Sequence, residues 1–251
     1  MARAILVGLV FLFVVLTLVV SPGSSRVHAA QQIHVLFFGD STVHGLSGNE
    51  YLASGGWRGS VISRLRETHD VRPVGRKLEP ASAEWGPFEA TSTAASALEM
   101  MPDVFAALER PPDIIILSFG INDGANNGWP IPTARHTLAA PMTTLVMEAA
   151  SRAPAAEIYV CTIPVLNWGA ASTSWSLVYN ASLPLAVNDA YVAGARASLV
   201  DCTSGLWSVH DPENFWYLSD PVHPNQAGYD QMAENIYRAL RQLSPLLKLA
   251  A

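Results

Sequence analysis

Three short clusters in this 251-residue chain contain the residue types that acyl transfer needs. Ser41 closes Gly39-Asp40-Ser41, Asn122 lies in Gly120-Ile121-Asn122-Asp123, and His223 ends Asp220-Pro221-Val222-His223. A serine hydroxyl is a weak nucleophile until a neighbouring imidazole takes its proton. The imidazole must in turn be held in one tautomer by a carboxylate. Asp220 precedes His223 by three residues, so a single turn can bring the two together. A tetrahedral oxyanion also needs donors aimed at it, and the Ser41 N–H and the Asn122 amide are suited to that. Each cluster alone is a common turn. What points to nucleophilic catalysis is their joint occurrence in order, each at a strand end or helix start. His210-Asp211 is a rival pair without that spacing or context.

The elements around these clusters set where they can meet. Residues 33–38 are a largely apolar run ending at the first cluster, and residues 113–118, apolar from Ile114 to Leu117, are a second ending just before the next. Both read as buried strands. Residues 157–163 and 198–201 are two more. Helical spacing appears at Trp57, Val61, Ile62 and Leu65, across 142–152, from about Leu185 to Arg196, and at Met232, Ile236, Leu240 and Leu243. Alternation of this kind predicts an α/β fold with a parallel sheet covered on both faces. Right-handed crossovers then bring the C-terminal strand ends to one edge, where active sites of such sheets lie. Residues 122–132 and 164–179 read as long loops at that edge. Trp129, Trp168 and Trp175 fall in them, where aromatic faces could bind substrate.

Composition narrows the classes. Arg3 followed by an apolar run over 4–20, a Ser21-Pro22-Gly23 break and the small residues at Ala29 and Ala30 read as a secretory signal peptide, residues 1–29. The remainder, 30–251, is expected to be one domain that is secreted and not inserted in a membrane. The net charge is −6 at neutral pH, which disfavours nucleic acid as a partner because its phosphates need basic patches. The segment from Arg72 to Lys77 is basic but reads as a solvated loop. The only cysteines, Cys161 and Cys202, each lie near a strand end; a disulfide is possible if those strands are neighbours, and two buried thiols are the alternative. No H-E-x-x-H, C-x-x-C or His/Cys cluster is present, so no metal and no cofactor is expected. There is also no G-x-S-x-G elbow and no G-x-G-x-x-G phosphate loop.

The three clusters resemble blocks I, III and V of the SGNH (GDSL) hydrolase superfamily, and the resemblance covers the chain from the first strand to the last helix. Gly55-Gly56-Trp57-Arg58, Glu89 and His223-Pro224-Asn225 look like its carbohydrate esterase branch, which includes acetyl xylan esterases. The resemblance implies a flavodoxin-like three-layer α/β/α sandwich with a mostly five-stranded parallel sheet, a Ser41–His223–Asp220 triad and an oxyanion hole containing Asn122. One block departs from the pattern. Where the family has a Ser-Gly pair whose glycine N–H joins the oxyanion hole, this chain has Ser92-Thr93. Thr93 still carries an N–H, but a β-branched residue tolerates positive φ badly, so the backbone there is either ordinary or strained. The expected activity is hydrolysis of short carboxylic esters, acetyl on carbohydrate first among them. A lipolytic esterase of the same fold, or an impaired glycan-binding surface protein, are the alternatives.

Overall fold

A computed structural model describes residues 32–78, 84–132, 135–208 and 210–248. The signal peptide expected over 1–29 lies outside the described residues. In chain order the elements are β1 (Ile33–Gly39), α1 (Ser41–His44), β2 (Leu46–Ser47), β3 (Glu50–Tyr51), α2 (Gly56–Arg66), β4 (Val71–Val74), β5 (Glu89–Ala90), α3 (Ala94–Ala107), β6 (Ile114–Ser118), α4 (Ile121–Ala125), α5 (Arg135–Arg152), β7 (Glu157–Cys161), α6 (Ala170–Val192), β8 (Ala197–Val200), α7 (Gln226–Leu243) and α8 (Pro245–Lys248).

The strands β4-β1-β6-β7-β8 pair in that order, all parallel, and the two-residue β5 adds to the end of β1. Numbered by the main strands alone this is the order 2-1-3-4-5 of flavodoxin-like sheets, whose switch point lies between the first and third strands. Here that point separates β1, which leads into Ser41, from β6, which leads into Asn122. β2 and β3 form a separate antiparallel pair after α1.

Both faces of the sheet are buried, and the period-two alternation of each strand divides the core in two. Leu36, Phe38, Ile115, Leu117, Ile158 and Val160 face one side and pack on α3, α5 and α6. Val35, Phe37, Ile114, Ile116 and Tyr159 face the other, against Trp57, Val61, Ile62 and Leu65 of α2 and Met232, Ile236 and Leu240 of α7. The expected three layers are therefore present. Cys161 at the end of β7 and Cys202 just past β8 are bridged, with their Cα atoms 5.5 Å apart, an ordinary disulfide separation. The open alternative of two free thiols is closed. No helix of the described residues is long and apolar enough to cross a membrane.

The segment expected as a solvated basic loop is partly edge strand. β4 contains Arg72 and Pro73; an edge position tolerates the missing N–H of proline. Two of its charges are matched: Arg72 pairs with Glu109 at 3.0 Å, and Arg76 grips the fully buried Glu89 at 3.1 Å. Two histidines on this side of the molecule are packed: His69 is buried with Nε2 3.1 Å from the Leu247 carbonyl, and the His44 ring contacts Tyr51 and Phe88.

Candidate active site

Gly39, Asp40 and Ser41 each have a distinct physical task. A side chain on Gly39 would lie 2.2 Å from Val43 Cγ2 and 2.5 Å from the Ser118 carbonyl, so only glycine lets the end of β1 approach β6 this closely. The Asp40 N–H then donates to Ser118 O at 3.1 Å. Asp40 caps α1: its Oδ1 accepts the Thr42 N–H at 2.9 Å and the Thr42 hydroxyl at 2.8 Å. This fixes the turn that carries Ser41. The cap also leaves Asp40 fully buried, and burial raises its carboxyl to about 6 despite the two Thr42 hydrogen bonds.

Ser41 Oγ lies 3.0 Å from His223 Nε2, and His223 Nδ1 lies 2.8 Å from Asp220 Oδ2. Three residues 182 positions apart at the extremes are thereby joined in one line of hydrogen bonds. The second oxygen of Asp220 accepts the backbone N–H groups of Val222 and His223, both at 2.7 Å. Burial pushes the Asp220 carboxyl up, but the His223 and Val222 hydrogen bonds outweigh it and hold the group below its ordinary value. Asp220 is thus an anion facing the imidazole. The loop is pinned on its far side by Asn225, whose amide donates to the Trp216 carbonyl at 2.7 Å and whose Oδ1 caps α7 through the Gly228 N–H.

Asn122 is carried by α4, directly after β6. Among the described residues its side-chain amide makes no hydrogen bond, so its donors are available at this edge. The turn before it needs Gly120, which has φ 141° and where a Cβ would sit 2.4 Å from the Tyr179 ring. Tyr179 in turn donates its hydroxyl to the Phe119 carbonyl at 2.9 Å and stacks on Trp175. Asp123, the last residue of the same cluster, has a further task. Both of its oxygens lie 3.2 Å from the Ala94 N–H, tying α4 to the start of α3.

Three expectations need correction. Thr93 has φ −129° and is the N-cap of α3, so its backbone is ordinary and unstrained. Its N–H donates to Ser96 Oγ at 3.0 Å, within a capping box, and is engaged there and not as an oxyanion donor. Trp175 is not in a loop: α6 begins at Ala170, and Trp175 is 1% exposed in the core. Of the other two tryptophans, Trp168 is 60% exposed and stands edge-on to the half-buried Trp129, which packs in turn on Trp175. The segment over 122–132 is also shorter as a loop than expected, because α4 occupies its start.

Several residues weighed from sequence have structural places. The Asn180 amide, in the N-x-S triplet Asn180-Ala181-Ser182, is bonded twice to the Ile163 backbone, at 2.8 and 2.9 Å. Arg58 is buried, with its guanidinium 4.3 Å from the Phe88 ring centroid and Nη1 2.8 Å from the Gly86 carbonyl; burial lowers it to about 10. Sequence reasoning missed Tyr179 as a support for the Asn122 turn. The signal was present in the spacing Trp175, Tyr179, Leu183, which marks one buried helix face.

The family model described as "GDSL-like Lipase/Acylhydrolase family" matches residues 37–231, a span that holds all three clusters. Among curated proteins none matches the chain. Solved structures similar in fold include a family 3 carbohydrate esterase of Clostridium thermocellum, with TM-score 0.67 and 22% identity over 88% of this chain and 100% of that one. An acetyl esterase variant with acetate ion gives TM-score 0.63 and 21% identity over 87% of this chain and 100% of that one. A family 3 carbohydrate esterase from Talaromyces cellulolyticus gives 0.61 and 19%, over 87% and 100%. At these identities the likeness is one of fold, whereas the family match rests on sequence across most of the chain. The chain belongs to the GDSL-like lipase/acylhydrolase family, and is a carboxylic ester hydrolase.

Proposed function

We propose that this protein is an exported serine esterase that removes acetyl groups from carbohydrate, with Ser41 as nucleophile, His223 as base and then acid, and Asp220 as the orienting carboxylate. The observation that carries the reading is the unbroken line Ser41 Oγ, His223 Nε2, His223 Nδ1, Asp220 Oδ2, each link at hydrogen-bond distance. Ser41 Oγ adds to the ester carbonyl as its proton passes to His223 Nε2. The Ser41 N–H and the Asn122 amide receive the oxyanion. Collapse breaks the C–O bond to the sugar, and His223 returns the proton to the departing alkoxide. Water, deprotonated by His223, then cleaves the acetyl-serine, giving acetate and free Ser41. Asp220, being an anion, stabilises the imidazolium in both steps.

Support for the carbohydrate comes from the shape of the site edge and from its neighbours in fold. Trp168 presents an exposed face braced by Trp129, and aromatic faces suit the apolar faces of sugar rings. Two of the similar structures are described as carbohydrate esterases and one as an acetyl esterase. Export fits a polymeric substrate outside the cell, and the Cys161–Cys202 bridge suits an oxidising compartment. One observation favours a second reading, a lipolytic esterase. A cavity of about 320 Å³ next to Asp123 is walled by Pro130, Leu138, Pro141 and Trp175 and would accept an alkyl chain.

Rates of release from acetylated xylan, a p-nitrophenyl ester series of rising chain length, and a lysophospholipid decide between them. The proposal expects the acetyl esters to be preferred, acetate to be released from xylan, and all hydrolysis to vanish in Ser41→Ala. Preference for long chains and the lysophospholipid would overturn the carbohydrate assignment. Hydrolysis retained by Ser41→Ala would overturn the nucleophile.

A further inference from the structure

A second cavity, of about 330 Å³, opens beside the loop that carries Asp220 and His223. One wall comes from Asn167 and from Thr173 and Ser174 on the first turns of α6; the other comes from Glu213 and Phe215, between β8 and α7. The Asn167 N–H donates to the Pro221 carbonyl at 2.9 Å. That bond fixes the cavity wall one residue from Asp220 and two from His223, so cavity and triad share a loop.

The lining has a definite chemistry. Among the described residues the Asn167 amide, the Ser174 hydroxyl and the Glu213 carboxylate have no hydrogen-bond partner in the protein. The Thr173 hydroxyl gives its proton to the Leu166 carbonyl at 2.7 Å and keeps acceptor capacity. Donors and acceptors therefore face the same space. Phe215 adds an aromatic wall, held 6.1 Å from Tyr217, whose hydroxyl is anchored 2.6 Å from the Val165 carbonyl. An alkyl chain entering here would strip water from four polar side chains without replacing their hydrogen bonds, which is costly. A phosphate or uronate would face Glu213, and the described lining residues include no lysine or arginine. A neutral pyranose offers hydroxyls to those groups around its rim and an apolar C–H face to Phe215.

We propose that this cavity is a subsite for a second, unreacting sugar residue of a neutral glycan chain, held while the acetylated residue lies at Ser41. The inference rests on the carbohydrate reading above and deepens it: the substrate is an oligomer, recognised over more than one residue.

The test separates the two. Calorimetric titration of Ser41→Ala with xylohexaose, cellohexaose and mannohexaose should show binding of at least one. Adding Phe215→Ala, or Glu213→Gln at an exposed position that folding does not depend on, should weaken it about tenfold, the scale of one or two lost contacts. In the active enzyme the same substitutions should lower kcat/KM on the acetylated hexasaccharide, relative to its acetylated monosaccharide, by a similar factor. Binding of no hexasaccharide, or affinities and ratios untouched by both substitutions, would overturn the subsite even if acetate is released from glycans. Phe215-dependent binding in an enzyme that deacetylates no glycan would uphold the subsite and overturn the proposed function.

Discussion

Asp40 shows how one residue of the site can be costly to the fold. Its Oδ1 accepts two hydrogen bonds from Thr42, while among the described residues its buried Oδ2 has no partner. The folded chain holds this proton until about pH 6, the unfolded chain only until 3.8. Between those values the native state binds the extra proton, so stability is expected to fall as pH rises through the window and to stay lower above it. Thermal unfolding followed across that range should show the decline in the parent and a flatter profile in Asp40→Asn, which keeps an oxygen for the cap. Identical slopes would mean that Asp40 titrates as it does in the unfolded chain. At this scale the turn and the nucleophile were legible in Gly39-Asp40-Ser41; that the glycine serves the close approach of β1 to β6, and the aspartate the cap of α1, needed the structure. The fate of Thr93 was not legible. Whether its N–H faces the site or its own helix depends on Ser96, three residues on, completing the capping box.

The elements α4 and α6 hold Asn122 through the contact of Gly120 with Tyr179. A methyl group at Gly120 would meet the ring at 2.4 Å in a backbone region that alanine rarely enters. Gly120→Ala should therefore cost about 1–3 kcal/mol, read by chemical denaturation, and should lower kcat more than it raises KM, because the Asn122 turn must shift. An unchanged kcat would show that Asn122 is positioned by other contacts. Four strands of the main sheet were legible because buried parallel strands are short apolar runs; the edge strand β4 and the order of the strands were not, since neither leaves a mark on any one segment. The helices were legible only in part, and prolines explain why. Sequence reasoning began one helix at Met142 and another near Leu185, each just after a proline. The structure continues both helices back through Pro141 and Pro184, to Arg135 and Ala170. A proline removes one N–H from the helix, but Ala139 and Met142 around Pro141, and Tyr179, Leu183, Ala186 and Ala190 around Pro184, are buried on both sides of it. Tertiary packing outweighs the local signal, and Trp175 moves from a supposed loop into the core.

Across the whole molecule, the catalytic edge is assembled from β1, β6 and the segment between β8 and α7, and the disulfide ties the far half of that edge together. Cys161 and Cys202 are separated by 41 positions. Closing a loop of that length constrains the unfolded chain by about 4 kcal/mol in the chain-entropy account. Cys161→Ala, or reduction of the parent, should lower the unfolding free energy toward that extent and shift the denaturation midpoint; equal midpoints with and without reductant would show that the bridge contributes nothing in solution. The bridge itself was only half legible, since sequence placed each cysteine at a strand end but could not say that β7 and β8 are neighbours. The same holds for the cavity beside Asn167, whose two walls lie far apart in the chain and meet only through the fold.

All of this depends on Ser41 being a nucleophile activated by His223. A fluorophosphonate probe, with the adduct located by peptide mass spectrometry, reads that directly. A single adduct on Ser41, absent in His223→Ala, is the result expected. An adduct on another residue, or ester hydrolysis undiminished after Ser41 is fully labelled, would contradict it.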